Sequence, residues 1–167
     1  NADSMQVYKE LKILTARPSK KEQQNIKHHL YGFQSVKKNF STGEWQKLAI
    51  KKIYEVKKRN KIPILVGGTG LYFKSLTDGL VKIPKIPLKF RNKIRTLHKN
   101  IGQKKFYNQL LKLDSLVKNR IDHNDVQRSI RAFEVKSYTN VSLYEWFSKT
   151  KKIFSDEDFI KIFINFP

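Results

Sequence analysis

The stretch Lys61-Ile-Pro-Ile-Leu-Val-Gly-Gly-Thr-Gly-Leu-Tyr72 decides the fold class of this 167-residue chain. A short apolar run that ends in a cluster of glycines predicts a buried strand over residues 62–66 and then a tight turn. Residues 71–77 predict a helix that stops near Gly79. Strand, glycine turn and helix in this order build an anion or substrate site at the carboxyl edge of a sheet.

The glycine turn itself allows two interpretations. Gly67, Gly68 and Gly70 let a backbone or a ligand come close, and Thr69 offers a hydroxyl at the same spot. The spacing is neither Gly-x-Gly-x-x-Gly nor Gly-x-x-x-x-Gly-Lys-Ser/Thr, so neither common nucleotide fingerprint is present. Taken alone, the turn fits a connection between packed elements as well as it fits a substrate site.

The flanking segments extend an α/β pattern. Ser41-Thr-Gly-Glu44 forms a capping box, and apolar residues at helical spacing predict an amphipathic helix over residues 42–59. This helix leads directly into the expected strand, which implies a parallel α/β sheet. The tail at residues 159–166 alternates like a further strand.

A proline-spaced connection at residues 82–87 changes the character of the chain, and short helices are expected from there to about residue 148. We therefore expect a helical subdomain inserted into an α/β core. The three expected segments are the core at residues 1–84, the insertion at 85–125 and the return to the core at 126–167.

Charge is the outlying property of the composition. Lys and Arg number 35 against 14 Asp and Glu, which gives a formal net charge of +21. Such an excess predicts affinity for a polyanion, nucleic acid first, although an A+T-rich coding sequence also raises the lysine content. The chain has no cysteine, which excludes disulfides and thiolate chemistry. Its apolar runs are too short for a membrane span, so no membrane contact is expected. We also expect a cytoplasmic location and a monomeric state.

Arginine is scarce beside lysine, so each arginine can mark a place that needs a planar, multidentate donor. The inference is stronger for two arginines on one helix. The seven are Arg17, Arg59, Arg91, Arg95, Arg120, Arg128 and Arg131.

Asp3, Ser4 and Gln6 cluster polar groups next to a presumed strand end, where α/β proteins form their active sites. Asp3 can act as a general base or hold a cation, and the Gln6 amide can recognise the edge of a base. The alternative is a disordered end of the chain. His28 and His29 are adjacent, point in different directions and lack a third ligand nearby, so no metal centre is expected there.

The helix after residue 125 carries a second polar group. Asn124 or Asp125 is expected to cap it, with Val126, Ile130 and Phe133 facing a core.

Its other face carries Gln127, Arg128 and Arg131 within one turn of each other, which suits phosphate or nucleic-acid binding. The alternative is a solvated face on which Glu134 pairs with Arg131.

Several blocks of sequence together resemble the tRNA dimethylallyltransferases, also called tRNA isopentenyltransferases. They occur in the family's order along nearly the whole chain. The blocks are Ala-Asp-Ser-Met-Gln-Val-Tyr at 2–8, Thr-Ala-Arg-Pro-Ser at 15–19, His-His-Leu at 28–30, Ile-Pro-Ile-Leu-Val-Gly-Gly-Thr-Gly-Leu-Tyr at 62–72 and Asn-Asp-Val-Gln-Arg-Ser-Ile-Arg-Ala-Phe-Glu-Val at 124–135.

The resemblance implies transfer of a dimethylallyl group from dimethylallyl diphosphate to N6 of the adenosine immediately 3′ of the anticodon, in tRNAs that read U-initial codons. It implies a P-loop NTPase-like parallel sheet core with a helical insertion that grips the tRNA anticodon stem-loop. Mg²⁺ is expected beside the diphosphate.

The resemblance also implies roles for single residues. Asp3 corresponds to the general base, and Gly67, Gly68 and Gly70 form the turn at the substrate. Arg128 or Arg131 is expected to neutralise diphosphate as well. The implied tRNA contacts are Asp3, Ser4, Met5, Gln6, Thr69, Arg91, Gln127, Arg128, Ser129, Ile130 and Arg131.

Three positions depart from the family pattern. Leu14 and Asn140 each stand where the family usually has a glycine, and Lys27 stands where it usually has a proline. The family's phosphate loop lies upstream of the block at residues 2–8 and its C-terminal helices lie downstream of residue 167, so we expect an internal fragment that is inactive alone. Two alternatives remain open, an adenylate isopentenyltransferase acting on free nucleotide and a non-catalytic RNA-binding fragment.

Overall fold

The computed structural model describes residues 1–165, and these contain five α-helices and two short 3₁₀ helices. The chain divides into two compact units. The first unit joins residues 1–80 to the segment that begins at residue 151, and the second unit comprises residues 81–150.

The first unit contains two α-helices that the sequence predicts. Helix α1 (Thr42–Lys57) begins with the expected capping box, in which Ser41 Oγ accepts from Glu44 N and the Glu44 carboxylate accepts from Ser41 N. Helix α2 (Gly70–Thr77) has Asp78 as its C-cap, and Gly79 follows with φ of 85°. Both helices and the stop near Gly79 are therefore confirmed.

The core of the first unit forms around an aromatic stack between these helices. Trp45 of α1 is fully buried and stacks on Tyr72 of α2, with ring centroids 4.1 Å apart and planes 10° apart. The Trp45 Nε1–H donates to the Asn1 carbonyl oxygen at 3.0 Å, which ties the start of the chain to α1. Other buried members of this core are Ala2, Val7, Ala49, Ile53, Leu76 and Phe154.

The expected sheet is not found in the described residues. Residues 62–66 form no strand, and the one β-bridge among residues 1–165 is an isolated parallel pair between Tyr8 and Gln34. The extended tail at 159–165 is likewise unpaired, and Phe166 of the expected strand lies outside the described residues. A strand is defined by hydrogen bonds to a neighbour, so the apolar pattern of 62–66 is insufficient by itself. Ile62 and Ile64 are 87% and 79% exposed, contrary to the expected burial.

The second unit is helical, as expected from the sequence. Helix α3 (Leu88–Leu113) is broken at Gly102, whose φ of 74° and ψ of 164° lie outside the helical region. A 3₁₀ turn at Ser115–Val117 leads on to α4 (Val126–Thr139) and α5 (Leu143–Ser148). The α3 and α4 helices pack against each other. Helix α4, which the sequence division assigned to residues 126–167, thus lies in the same unit as α3.

The buried face of α4 differs from the expected one. Asp125 is the cap, because its carboxylate accepts from Arg128 N at 2.9 Å. The fully buried side chains of α4 include Ala132 and Val135, whereas the predicted Val126, Ile130 and Phe133 are only half-buried. Phe133 nevertheless packs on α3, since its ring centroid lies 4.8 Å from that of Phe106.

Among residues 1–165, no helix is long and apolar enough to cross a membrane.

Candidate functional site

Backbone hydrogen bonds bring the Asp3–Gln6 segment against the glycine turn in the first unit. Ala2 N donates to Val66 O at 2.7 Å, and Thr69 N donates to Ala2 O at 3.2 Å. Because Ala2 is fully buried, these bonds are shielded from water. Two polar groups that the sequence treats separately therefore form one site.

One glycine of the turn is required by this close approach. A Cβ on Gly67 would lie 2.5 Å from the Ala2 carbonyl oxygen and 2.6 Å from Asp3 N, both of them backbone atoms. A Cβ on Gly68 or Gly70 would meet nothing within 4 Å among the described residues. Gly67 thus serves packing, while Gly68 and Gly70 border open space.

The Thr69 hydroxyl fastens the turn to the acidic segment. Ser4 N donates to Thr69 Oγ1 at 2.8 Å, and Thr69 Oγ1 donates to Ser4 Oγ at 3.2 Å. Thr69 precedes α2 but makes no capping bond with its side chain, because its hydroxyl serves Ser4 instead. Its position in the site is therefore fixed by two bonds from outside its own helix.

The Asp3 carboxylate is held by one of its two oxygens. Oδ1 accepts from Met5 N at 2.7 Å and from Gln6 N at 3.3 Å. No hydrogen bond to Oδ2 is found within residues 1–165, so this oxygen is available to a ligand. The carboxylate also influences Tyr72: burial raises the pKa of Tyr72 to about 12, with smaller contributions from Tyr8 and Asp3.

Gln6 and Met5 of this segment differ in what they offer to a ligand. The Gln6 amide nitrogen donates to the Thr15 carbonyl oxygen at 2.8 Å, which leaves its Oε1 as the free polar atom. Met5 is 48% exposed. The site therefore offers a carboxylate oxygen, an amide oxygen and an exposed apolar side chain.

The second unit carries a separate group of cations around one buried carboxylate. Glu134 of α4 is 1% exposed, and Arg91 Nε donates to its Oε2 at 3.0 Å. Arg131 Nη1 lies 3.6 Å from the same oxygen. Arg95 Nε lies 3.6 Å from Oε1, which is buried and lacks a hydrogen-bond partner among the described residues.

The other residues of the block on α4 lie in different environments. Gln127 and Arg128 are exposed, and Arg128 Nη1 pairs with Asp125 Oδ2 at 3.1 Å. Ser129 is fully buried and accepts from Gln103 Nε2 at 3.2 Å. The exposed Arg128 is therefore followed directly by Ser129, whose buried hydroxyl is occupied by a hydrogen bond within the unit.

The sequence missed two residues of the second group. Arg95 stands four residues after Arg91, so both occupy one face of α3, and the scarcity of arginine was a usable signal for this pair. Glu134 was recognised only as a partner of Arg131. The burial of Glu134 could not be predicted from the sequence, because glutamate side chains are exposed in most proteins.

Metal binding by protein side chains alone does not fit the described residues. They contain no group of three or more His, Asp or Glu side chains that could hold an ion. Asp3 is the carboxylate at the glycine turn, and one of its oxygens is already engaged by backbone N–H groups.

The described residues thus contain a carboxylate held at a glycine turn in the first unit and an arginine group on the paired helices of the second. The chain belongs to the IPP transferase family, whose model matches residues 6–167.

Named relatives agree with this assignment. A tRNA dimethylallyltransferase of Pelagibacter ubique (strain HTCC1062) is 67% identical over 165 residues, which are 99% of this chain and 53% of the relative. The tRNA dimethylallyltransferase of Rickettsia prowazekii (strain Madrid E) is 46% identical over 166 residues, again 53% of its length. The chain thus spans about half the length of these curated relatives.

A solved structure matches as well. It shows a eukaryotic dimethylallyltransferase acting on tRNA, and it superposes with a TM-score of 0.75 at 28% identity. The match covers 92% of this chain and 39% of that protein.

Proposed function

We propose that the protein to which this chain belongs transfers a dimethylallyl group from dimethylallyl diphosphate to N6 of the adenosine immediately 3′ of the anticodon, in tRNAs that read U-initial codons. The observation that carries the proposal is the Asp3 carboxylate, which is fixed beside the glycine turn with Oδ2 free. Support comes from relatives named tRNA dimethylallyltransferase.

Asp3 acts as the general base in this proposal. Its Oδ2 accepts the proton from the adenine N6 as N6 bonds to the allylic carbon. The carbon–oxygen bond to the diphosphate breaks at the same time and its electron pair leaves with the diphosphate. The hydrogen bonds from Met5 N and Gln6 N to Oδ1 hold the carboxylate in place, so its orientation is set before the substrate arrives.

The neighbours of Asp3 position the adenosine. The free Oε1 of Gln6 can accept a hydrogen bond from the base, and the exposed Met5 side chain offers an apolar surface for it. Ser4 and Thr69 act by holding the segment against the turn, with their hydroxyls bonded to each other. The space beside Gly68 and Gly70 admits the substrate.

The second unit supplies tRNA contacts from α3 and α4. Arg91, Arg128 and Arg131 bind phosphates, because guanidinium groups pair with phosphate oxygens through two donors. Gln127 and Ile130 flank them, and Gln127 is exposed. Ser129 contributes indirectly, since its buried hydroxyl fixes α4 through Gln103.

The fold we propose for the complete core is a P-loop NTPase-like parallel sheet, to which residues 62–66 contribute a strand. Pro63 and Leu65 are half-buried, whereas Ile62, Ile64 and Val66 on the alternate positions are exposed. This alternation and the bond from Ala2 N to Val66 O are typical of a strand at a sheet edge.

The remaining expectations also stay proposals. Mg²⁺ usually keeps several waters and binds substrate phosphates, so the diphosphate would hold it and it would neutralise the leaving group. A boundary near residue 84, a monomeric state and a cytoplasmic location belong to the same proposal.

A chimeric enzyme tests the function. Residues 1–167 replace the corresponding half of the Pelagibacter ubique relative, and labelled dimethylallyl diphosphate is supplied with either an anticodon stem-loop or AMP as acceptor. We expect label on the stem-loop adenosine and none on AMP. Label on AMP indicates an adenylate isopentenyltransferase. RNA binding without transfer to either acceptor indicates a non-catalytic RNA-binding fragment.

A further inference from the structure

We propose that Arg95, together with Arg91 and Arg131, forms a clamp for an RNA backbone phosphate, and that buried Glu134 is the positioning residue of this clamp. The inference rests on the proposed tRNA-modifying function and adds to it a further contact residue and the way the contacts are held. The three arginines and Glu134 are called the arginine clamp below.

The arginine clamp carries an excess of positive charge. Three guanidinium groups lie within 3.6 Å of one carboxylate, and α3, which supplies two of them, contains no acidic residue. One carboxylate neutralises one of the three cations, so two positive charges remain and favour an anionic ligand. RNA phosphodiesters carry one negative charge each and recur along the backbone, which suits two such contacts.

The free donors of the clamp are oriented by the way Glu134 is bound. Arg91 and Arg95 both approach it with Nε, which is the inner nitrogen of the guanidinium group. Within residues 1–165, the terminal nitrogens of these two side chains make no hydrogen bond. Arg91 and Arg95 side chains are 33% and 55% exposed, so the terminal nitrogens remain within reach of a ligand. A guanidinium anchored by Nε keeps two parallel donors for phosphate oxygens.

Glu134 is suited to positioning because it cannot reach solvent. It is 1% exposed, and its Oε1 has no hydrogen-bond partner among the described residues. A buried carboxylate of this kind needs cations close by, so it holds the three arginine side chains together. Without it, long side chains of like charge repel each other and take up many conformations.

The direction in which Glu134→Gln changes RNA affinity distinguishes a positioning role of Glu134 from a purely electrostatic one. Glu134→Gln removes a negative charge, so electrostatics alone predicts tighter RNA binding. If Glu134 positions the arginines, the same change weakens binding about fivefold to tenfold despite the higher net charge. Asp122→Asn is the matched control, since Asp122 is an exposed carboxylate of the same unit that faces none of the clamp arginines. We expect its binding to be unchanged or slightly tighter.

Arg95 is tested in the same way. Arg95→Ala is expected to weaken binding about tenfold and to lower the salt slope by about one. Lys99→Ala removes an equal charge from the next turn of α3 and is expected to change affinity less than about threefold. Arg95→Lys keeps the charge but loses the forked donors, so it should lose most of the affinity that Arg95→Ala loses.

The experiment measures binding of the 167-residue chain to a fluorescent anticodon stem-loop RNA across a range of salt concentrations, with circular dichroism to verify helix content. In the double variant, the effects of Glu134→Gln and Arg95→Ala should be less than additive, because each disables the same clamp. A merely structural Glu134 would give additive losses together with lost helix content, and that outcome refutes the positioning role.

Three further outcomes separate this inference from the proposed function. Binding by the unmodified chain, with equal effects of Arg95→Ala and Lys99→Ala, refutes the clamp and leaves the function intact. Displacement of the RNA by millimolar inorganic diphosphate in the unmodified chain but not in Arg95→Ala assigns the clamp to a diphosphate and refutes the backbone contact. Failure of the chimeric enzyme to transfer label, with the clamp effects intact, refutes the function alone.

Discussion

Gly67→Ala is expected to damage the first unit, because the added methyl group meets backbone. The new Cβ would lie 2.5 Å from the Ala2 carbonyl oxygen and 2.6 Å from Asp3 N, and backbone cannot rotate aside as the end of a side chain can. Overpacking of this kind costs about 1–3 kcal/mol. The shift also weakens the bonds that join Ala2 to Val66 and Thr69, at about 1 kcal/mol each. We expect the free energy of unfolding to fall by about 3–5 kcal/mol in all.

Urea denaturation followed by tryptophan fluorescence measures this loss. Trp45 is fully buried in the first unit, and a Trp146→Phe background removes the signal of the second. Gly68→Ala is the matched control, because its Cβ meets nothing within 4 Å, and it should change stability by less than about 0.5 kcal/mol. Equal stability of the two variants would refute the close approach of the turn to the acidic segment.

Two further changes test the bonds around the site and the first helix. Thr69→Val removes the hydroxyl that accepts from Ser4 N, and the free energy of unfolding should fall by about 1–3 kcal/mol. Thr96→Val, at an exposed position of α3, is the control and should change it little. Equal effects of the two changes would contradict the hydrogen bond between Ser4 N and Thr69 Oγ1. Ser41→Ala should cost about 1 kcal/mol at neutral pH by removing the cap of α1. Hydrogen bonds from Ser41 hold the pKa of Glu44 below its ordinary value of 4.5, so this stabilisation exists above that value and is lost as pH falls through the folded-state pKa. The stability difference between Ser41→Ala and the unchanged chain should therefore narrow in urea denaturation as the pH falls through the folded-state pKa of Glu44, and a constant difference would contradict the contribution of Glu44.

The helices could be predicted because their signals are local. The capping box at Ser41 and Glu44 and the helical spacing after it define α1 within about one turn, and Asp125 marks the start of α4. Such signals involve residues only three or four positions apart, so no distant part of the chain is needed to read them.

The strand at residues 62–66 could not be established in the same way. Its apolar pattern predicts extended backbone, but pairing depends on neighbours elsewhere in the chain, and residues 62–66 are assigned to no strand. Among the described residues, the pairing of this segment is limited to the hydrogen bond from Ala2 N to Val66 O.

The candidate site was predicted in its parts and not in its assembly. The sequence singled out Asp3 and Thr69, but their connection through Ser4 depends on contacts between residues far apart in the chain. The buried Glu134 was hidden for another reason: its environment is built from arginines on α3, and residue type alone indicates an exposed position.

The central claim is that Asp3 is the general base of a dimethylallyl transfer to tRNA, and Asp3→Asn in the chimeric enzyme tests it most directly. The amide oxygen can still accept from Met5 N and Gln6 N, so the segment should keep its conformation. An amide cannot take the N6 proton, so single-turnover label transfer to the anticodon stem-loop should slow by about 10²–10⁴-fold while RNA affinity is retained. Transfer at a near-normal rate by Asp3→Asn would contradict the account.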